Sequence, residues 1–169
     1  MRQIVYSLLL LSMGLWACEA TEKEPAEAAA AETTSRLAEE LPGTWESVSL
    51  KVFVKTYENT DSSFILDVQE RDWEEVFGMR PVKMVFQKND KYYSEHRSVA
   101  DTLIDLTRGL WKPIADTLQM VADDGTTYRY RVKVRNGLSE FRAFIDWDGD
   151  GEEDDEYIEI KRLVSIAAE

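Results

Sequence analysis

From residue 41 onward, apolar and polar positions alternate with a period of two, the spacing of a strand with one face buried. In Thr44–Tyr57, Val48, Leu50, Val52 and Val54 share one face, and Ser47, Ser49, Lys51 and Lys55 the other. The alternation returns at Val82, Met84 and Phe86. It is cleanest where Tyr128, Tyr130, Val132 and Val134 face away from Arg129, Arg131, Lys133 and Arg135. Two further strands are expected over Leu138–Ile145 and Tyr157–Val164. Turn residues fall between these segments: Lys88-Asn89-Asp90, Asp123-Asp124-Gly125 and Arg135-Asn136-Gly137, the last a strong hairpin signal. Short strands at this spacing predict an all-β antiparallel barrel or sandwich. One segment departs from the alternation. Asp72 followed by Glu75 reads as a helix cap with its box partner, and Gly78 as a helix end. A short helix over Asp72–Phe77 would turn Trp73, Val76 and Phe77 toward an apolar surface, as a lid or a plug for the barrel end.

Several of these segments carry a resemblance. Leu41-Pro42-Gly43-Thr44-Trp45, at the start of the first strand, resembles the Gly-x-Trp signature of the lipocalin superfamily. Met84–Tyr93, Gly109-Leu110-Trp111 and Asp116–Met120 resemble successive segments of bacterial lipocalin-like lipoproteins, so the likeness covers about residues 41–164. It implies a lipocalin-like barrel closed at one end by Trp45 beneath an Arg near the last strand, for which Arg162 is the candidate. The Thr-Asp-Tyr signature of central lipocalins has no counterpart here. Trp45, Phe53, Phe86, Tyr92, Trp111, Tyr128, Tyr130, Phe141 and Phe144 are either core or the wall of a cavity for a small apolar ligand. The basic stripe from Arg129 to Arg135 reads as a solvated face paired with acids.

Upstream of residue 41 the texture differs. Met1-Arg2 precedes the apolar run Ile4–Leu15, too short to span a ~30 Å hydrocarbon core but suited to a signal peptide. Leu15-Trp16-Ala17-Cys18 resembles the lipobox of bacterial lipoproteins, which implies a signal peptide over 1–17 and lipidation of Cys18 by fatty acyl chains such as palmitate. Residues 18–40, rich in Glu, Ala and Thr, read as a flexible acidic tether leading to a barrel domain over 41–169. Cys18 is the only cysteine, so the domain has no internal disulfide to rely on. The expected setting is the bacterial outer membrane, lipid-anchored on its periplasmic face or at the cell surface.

Charge adds one more site. The chain carries 20 Lys+Arg against 33 Asp+Glu, net −13, which argues against a nucleic-acid surface. By position, residues 19–40 hold a net −5 and residues 146–156 a net −8, so the rest is close to neutral. The second segment, Asp146-Trp147-Asp148-Gly149-Asp150-Gly151-Glu152-Glu153-Asp154, has the spacing of a Ca²⁺ loop. Asp146, Asp148, Asp150, Glu152 (through its carbonyl) and Asp154 are the candidate ligands for a hard cation that prefers six to eight oxygens. The twelfth position, where a helical EF-hand places a bidentate Glu, is Tyr157, so Asp155 or Glu156 would have to complete the set. Flanking strands make the loop resemble those of integrin-type propeller repeats.

No catalytic constellation stands out. His96 is the only histidine, and no Gly-rich phosphate loop occurs. The expectation is a monomeric envelope lipoprotein that binds a small apolar or amphipathic ligand, with structural Ca²⁺. The alternative is a structural or protein-interaction lipoprotein with a filled barrel. A metal-dependent hydrolase stands third, and would need an open coordination position at the acidic loop.

Overall fold

The structure, a computed structural model, describes residues 25–166. The signal segment, Cys18 and the first part of the acidic tether lie outside the described residues.

Nine strands form one antiparallel sheet that closes on itself: β1 (Gly43–Val54), β2 (Phe64–Gln69), β3 (Lys83–Phe86), β4 (Lys91–Arg97), β5 (Leu103–Ile114), β6 (Thr117–Ala122), β7 (Thr127–Arg135), β8 (Leu138–Ile145) and β9 (Asp155–Ile166). Closure comes from β1, which pairs with β9 along nearly its full length. On its other edge β1 pairs with β3 over Gly43–Glu46 and with β2 over Ser49–Val54. The barrel therefore has eight strand positions, one of them shared end to end by β2 and β3. Of the barrel and sandwich that the alternation predicts, this is the barrel, consistent with the lipocalin-like all-β fold that the resemblance implies. Besides the outer edge of β2, the first half of β5 (103–108) has no ladder partner on its β6 side, and β7 and β8 pair only over Arg131–Arg135 and Leu138–Arg142.

The predicted turns form as turns. Asn136 and Gly137 both take positive φ (52° and 73°), the geometry of a type I′ hairpin linking β7 to β8. Gly43 is required by a close approach: a Cβ there would stand 2.7 Å from the Ser165 carbonyl oxygen of β9.

The segment 25–40 differs from the tether reading. It forms α1 (Pro25–Glu40), and Leu37 is completely buried. Ala and Glu favour the helix, but an isolated helix of this length is marginal in water. What holds it is docking. Leu37 and Leu41, one turn apart, enter the same apolar cluster as Trp45, Phe86, Trp111 and Phe141. Each such leucine contributes about 1.5–3 kcal/mol through burial. The Ala115 N–H donates to Thr34 Oγ1 at 2.7 Å, pinning the helix to the β5–β6 turn. Within the described residues, the second half of the segment read as a tether is thus a helix docked on the barrel.

The expected short helix is α2 (Trp73–Phe77), ended by Gly78 at φ 66°. Asp72 makes no side-chain cap because a 3₁₀ turn over Glu70–Asp72 already leads into the helix. Trp73 is buried, Phe77 is half-buried and Val76 faces solvent. Trp73 packs with Leu50, Val52, Val54 and Val68 in a second apolar cluster at the other end of the barrel.

Candidate functional site

Between the two apolar clusters the barrel wall is polar, and the cause is a change of phase in β1. The ladder with β9 slips between Ser47 and Ser49. Without the slip Ser47 would share the outer face with Ser49 and Lys51, as the simple alternation predicts. With it, Trp45 and Ser47 face inward below, and Leu50, Val52 and Val54 above.

β9 runs against hydropathy too. Its buried residues include Asp155, Glu159 and Lys161, whereas Ile158 and Ile160 are only half-buried and Val164 and Ile166 are exposed. The register explains the match: Ser47 lies opposite Lys161, and Leu50 opposite Glu159. The Lys161 ammonium donates to Glu159 Oε1 at 2.6 Å and to Ser47 Oγ at 2.9 Å. Ser47 Oγ–H donates to Glu159 Oε1, and Tyr157 O–H to Glu159 Oε2 at 2.6 Å. The ammonium also lies 5.8 Å from the centre of the Phe141 ring. A buried carboxylate and ammonium are tolerated only when paired and further hydrogen-bonded, and here both conditions are met.

This network forms part of the wall of a cavity of about 360 Å³. Its apolar wall comes from Trp73, Phe77, Met79, Val82, Met84 and Met120. Its polar wall includes Glu159, Lys161, Tyr157, Tyr130, Tyr92 and His96. The volume falls within the range of small-molecule sites. Burial pushes the Tyr157 hydroxyl well above the ordinary phenol range, with the Glu159 charge adding to the rise. Tyr130 is raised for the same two reasons, and Tyr92 is pushed up to about 12, mainly by burial. These phenols stay protonated at neutral pH and serve as neutral hydrogen-bonding groups. Two polar atoms of the wall, Tyr92 Oη and Trp73 Nε1, are buried with no hydrogen-bond partner.

Arg162 does not take the place expected for it. It lies opposite Glu46 in the β1–β9 ladder, half-exposed, and makes a bidentate pair with Glu70 at 2.8 and 3.1 Å. Alternation along β9 gives the interior to Lys161 and Leu163. Leu163 is the residue opposite Trp45, whose Nε1–H donates to the Leu41 carbonyl at 2.7 Å. The helix end closes the barrel over Trp45, not an arginine. Phe53 and Phe144, counted from sequence with the inward aromatics, lie on the outer face, and His96, the only histidine of the sequence, lines the cavity.

The acidic loop joins β8 to β9 at the end of the barrel opposite α1. Asp146, Asp148 and Asp150 each bring one carboxylate oxygen within 4.8 Å of the others. The β1–β2 connection supports them: the Glu58 N–H donates to Asp148 Oδ2 at 2.6 Å, and Asn59 Nδ2 to the Asp150 carbonyl at 3.1 Å. Asp150 Oδ2 is buried without a partner. The Asp154 carboxylate stands outside this group. Asp154 Oδ2 instead lies 3.3 Å from Thr56 Oγ1 and 3.7 Å from Lys55 Nζ. Neither residue proposed to complete the set is free. Asp155 is buried and accepts from the Lys55 and Trp147 backbone N–H groups, and Glu156 pairs with Arg142 at 2.9 Å. The loop thus gathers the carboxylates of Asp146, Asp148 and Asp150, but not that of Asp154.

Glu159, Lys161 and Ser47 escape a reading by hydropathy, because Ile158 and Ile160 look like the buried face of β9. A signal did exist. Once Trp45 is placed inside, Ser47 shares its parity, and Tyr157, Glu159, Lys161 and Leu163 share one another's.

No protein-family model matches the chain, and no curated protein matches it.

Proposed function

We propose that the chain is a lipid-anchored protein of the bacterial envelope whose barrel binds a small apolar or amphipathic molecule, acting as a binding module rather than an enzyme. The observation that carries this reading is the cavity of about 360 Å³, whose wall is apolar on one side and hydrogen-bonding on the other. A barrel filled by its own side chains would leave no such space. Anchorage follows from the lipobox-like segment at Cys18, which six residues separate from Pro25. Such a connector reaches about 20 Å. It would hold the molecule through α1, at the closed end, and leave the loops at residues 55–63 and 146–154 on the far side.

Structural Ca²⁺ belongs to the same proposal. The fit to the loop is that of Asp146, Asp148 and Asp150, with the unpaired Asp150 Oδ2 supplying an oxygen that nothing in the protein satisfies. A bound divalent cation would relieve the repulsion among these carboxylates.

A second reading, a structural or protein-interaction lipoprotein, is favoured by one feature. Ile65, Phe53 and Phe144 fall in one cross-strand row on the outer face, with Glu156 between the two phenylalanines, and all three are exposed. Native mass spectrometry of the purified protein separates the two. The binding-module reading predicts a co-purifying small molecule of a few hundred daltons. Bare protein that also takes up no added apolar compound would favour the second.

A further inference from the structure

The exterior of the barrel divides by charge. On the side of β1, β2, β8 and β9 the outward carboxylates have cations beside them: Glu46 has Lys83 and Arg162, Asp67 has Lys51, and Glu140 and Glu156 share Arg142. The side of β5, β6 and β7 is built differently. Segments 108–114, 117–122 and 127–135 contain no acid, but supply Arg108, Lys112, Arg129, Arg131, Lys133 and Arg135, all exposed. Among the described residues only Arg131 of these six has a carboxylate within ion-pair distance, that of Asp116 in the β5–β6 turn at 2.9 Å. The stripe on β7 is therefore not the face paired with acids that alternation alone suggests.

Aliphatic side chains complete this surface. Across the ladder, Leu110 lies between Lys91 and Val121, and Gln119 between Lys112 and Arg129. Leu110, Ile114 and Val121 are 58%, 48% and 37% exposed. Cations without counter-charges around exposed aliphatic groups suit a partner that offers anions at its surface and hydrocarbon beneath, as the headgroup layer of an anionic bilayer does. A nucleic acid would meet the cations through its phosphates and leave the aliphatic groups unused. The connection to the rest of the chain favours the bilayer as well. Helix α1 runs from Leu41 and Leu37, beneath the barrel, to the border of this surface, where Thr34 Oγ1 accepts from the Ala115 N–H. Residues 25–33 carry it about 13 Å further, and Cys18 lies six residues beyond Pro25.

Resting on the reading of the chain as a lipid-anchored protein, we propose that the outer face of β5, β6 and β7 docks on an anionic phospholipid surface. Arg108, Lys112 and Arg129 meet the phosphates, and Leu110, Ile114 and Val121 enter the headgroup layer. The barrel then lies on its side, with the charge-paired face of β1 and β9 turned away from the bilayer.

The test uses the full chain carrying Cys18→Ser, which cannot be acylated. A single cysteine is introduced by Val121→Cys or, on the opposite side, by Phe53→Cys, and labelled with an environment-sensitive fluorophore. The probes are vesicles of phosphatidylcholine alone and of phosphatidylcholine with a quarter phosphatidylglycerol. The apolar run Ile4–Leu15 is common to every variant, so differences between variants report the face. The expected result is a blue shift of the label at 121, and none at 53, with the anionic vesicles only. Lys112→Gln with Arg129→Gln should raise the lipid concentration for half of the shift by at least about tenfold. Lys51→Gln with Arg142→Gln, the same change of net charge on the other side, should leave it within about twofold. Equal shifts at the two labels, equal response to both vesicles, equal loss in both double variants, or no shift at all overturns the proposal. So does a DNA duplex that moves the label at 121 at a lower phosphate concentration than the anionic vesicles. Acylation is read separately, from the mass of the unsubstituted chain recovered from membranes. Unmodified Cys18 with the shift at 121 removes the anchor and keeps the face, whereas acylated Cys18 without that shift removes the face and keeps the anchor.

Discussion

The two ends of the barrel treat the same side chain differently. At the closed end the indole N–H groups of Trp45 and Trp111 donate to the carbonyls of Leu41 and Gln87 at 2.7 and 3.1 Å. At the other end the Trp73 indole is as deeply buried, yet its N–H has no partner. The closed end joins α1 to the sheet through apolar packing and completed hydrogen bonds. The cavity end keeps an unpartnered indole N–H, space and an acidic loop. Completed hydrogen bonds are concentrated at the first, and the proposed recognition would fall at the second, the division expected when binding groups are held on a rigid scaffold.

Substitutions can break this division. The largest effect is expected for Trp45→Ala, which removes the residue against which α1 and the sheet converge. Thermal or denaturant unfolding should show a loss of about 3–5 kcal/mol. Trp73→Phe, which removes no hydrogen bond, should cost about 1 kcal/mol less than Trp45→Phe, which leaves the Leu41 carbonyl unpaired, in the same measurement. Comparable losses would abolish the distinction between the ends.

Next is the ion pair between them. Lys161→Met leaves Glu159 buried without its cation and should cost about 3 kcal/mol near neutral pH. Adding Glu159→Gln to that variant should restore most of the loss, because the surviving Ser47 and Tyr157 hydroxyls can serve a neutral amide. A double variant no more stable than the single would show that the charge balance of the wall matters less than its shape.

The smallest effect concerns the acidic loop. Adding Ca²⁺ to chelator-treated protein at a hundred times the dissociation constant should stabilise it by about 2.7 kcal/mol, seen as a rise in Tm. Asp148→Asn together with Asp150→Asn should remove that rise. An unchanged Tm in millimolar Ca²⁺ would leave the loop an acidic turn clamped by Glu58 and Asn59.

The same contrast separates what the sequence discloses from what it conceals. Strands β7 and β8, the Asn136-Gly137 turn and the acidic loop are legible because each depends on local pattern: period-two hydropathy, positive-φ residues and alternate carboxylates. Helix α1 is hidden because its stability comes from two leucines docking on strands more than forty residues away in sequence. The polar wall is hidden for a related reason. The register slip between Ser47 and Ser49 is a property of the β1–β9 pairing, and without it neither Ser47 nor the inward face of β9 can be assigned. Arg162 illustrates the cost of one residue of phase, since the buried cation is its neighbour Lys161.

The most direct test of the account is a ¹⁵N–¹H spectrum of the indole N–H groups, recorded before and after addition of 2-octanone. The account predicts that the Trp73 signal moves as an occupant enters the cavity that this residue lines, while that of Trp45 stays in place. A displaced Trp45 signal with an unmoved Trp73, or no change at any indole, would contradict it.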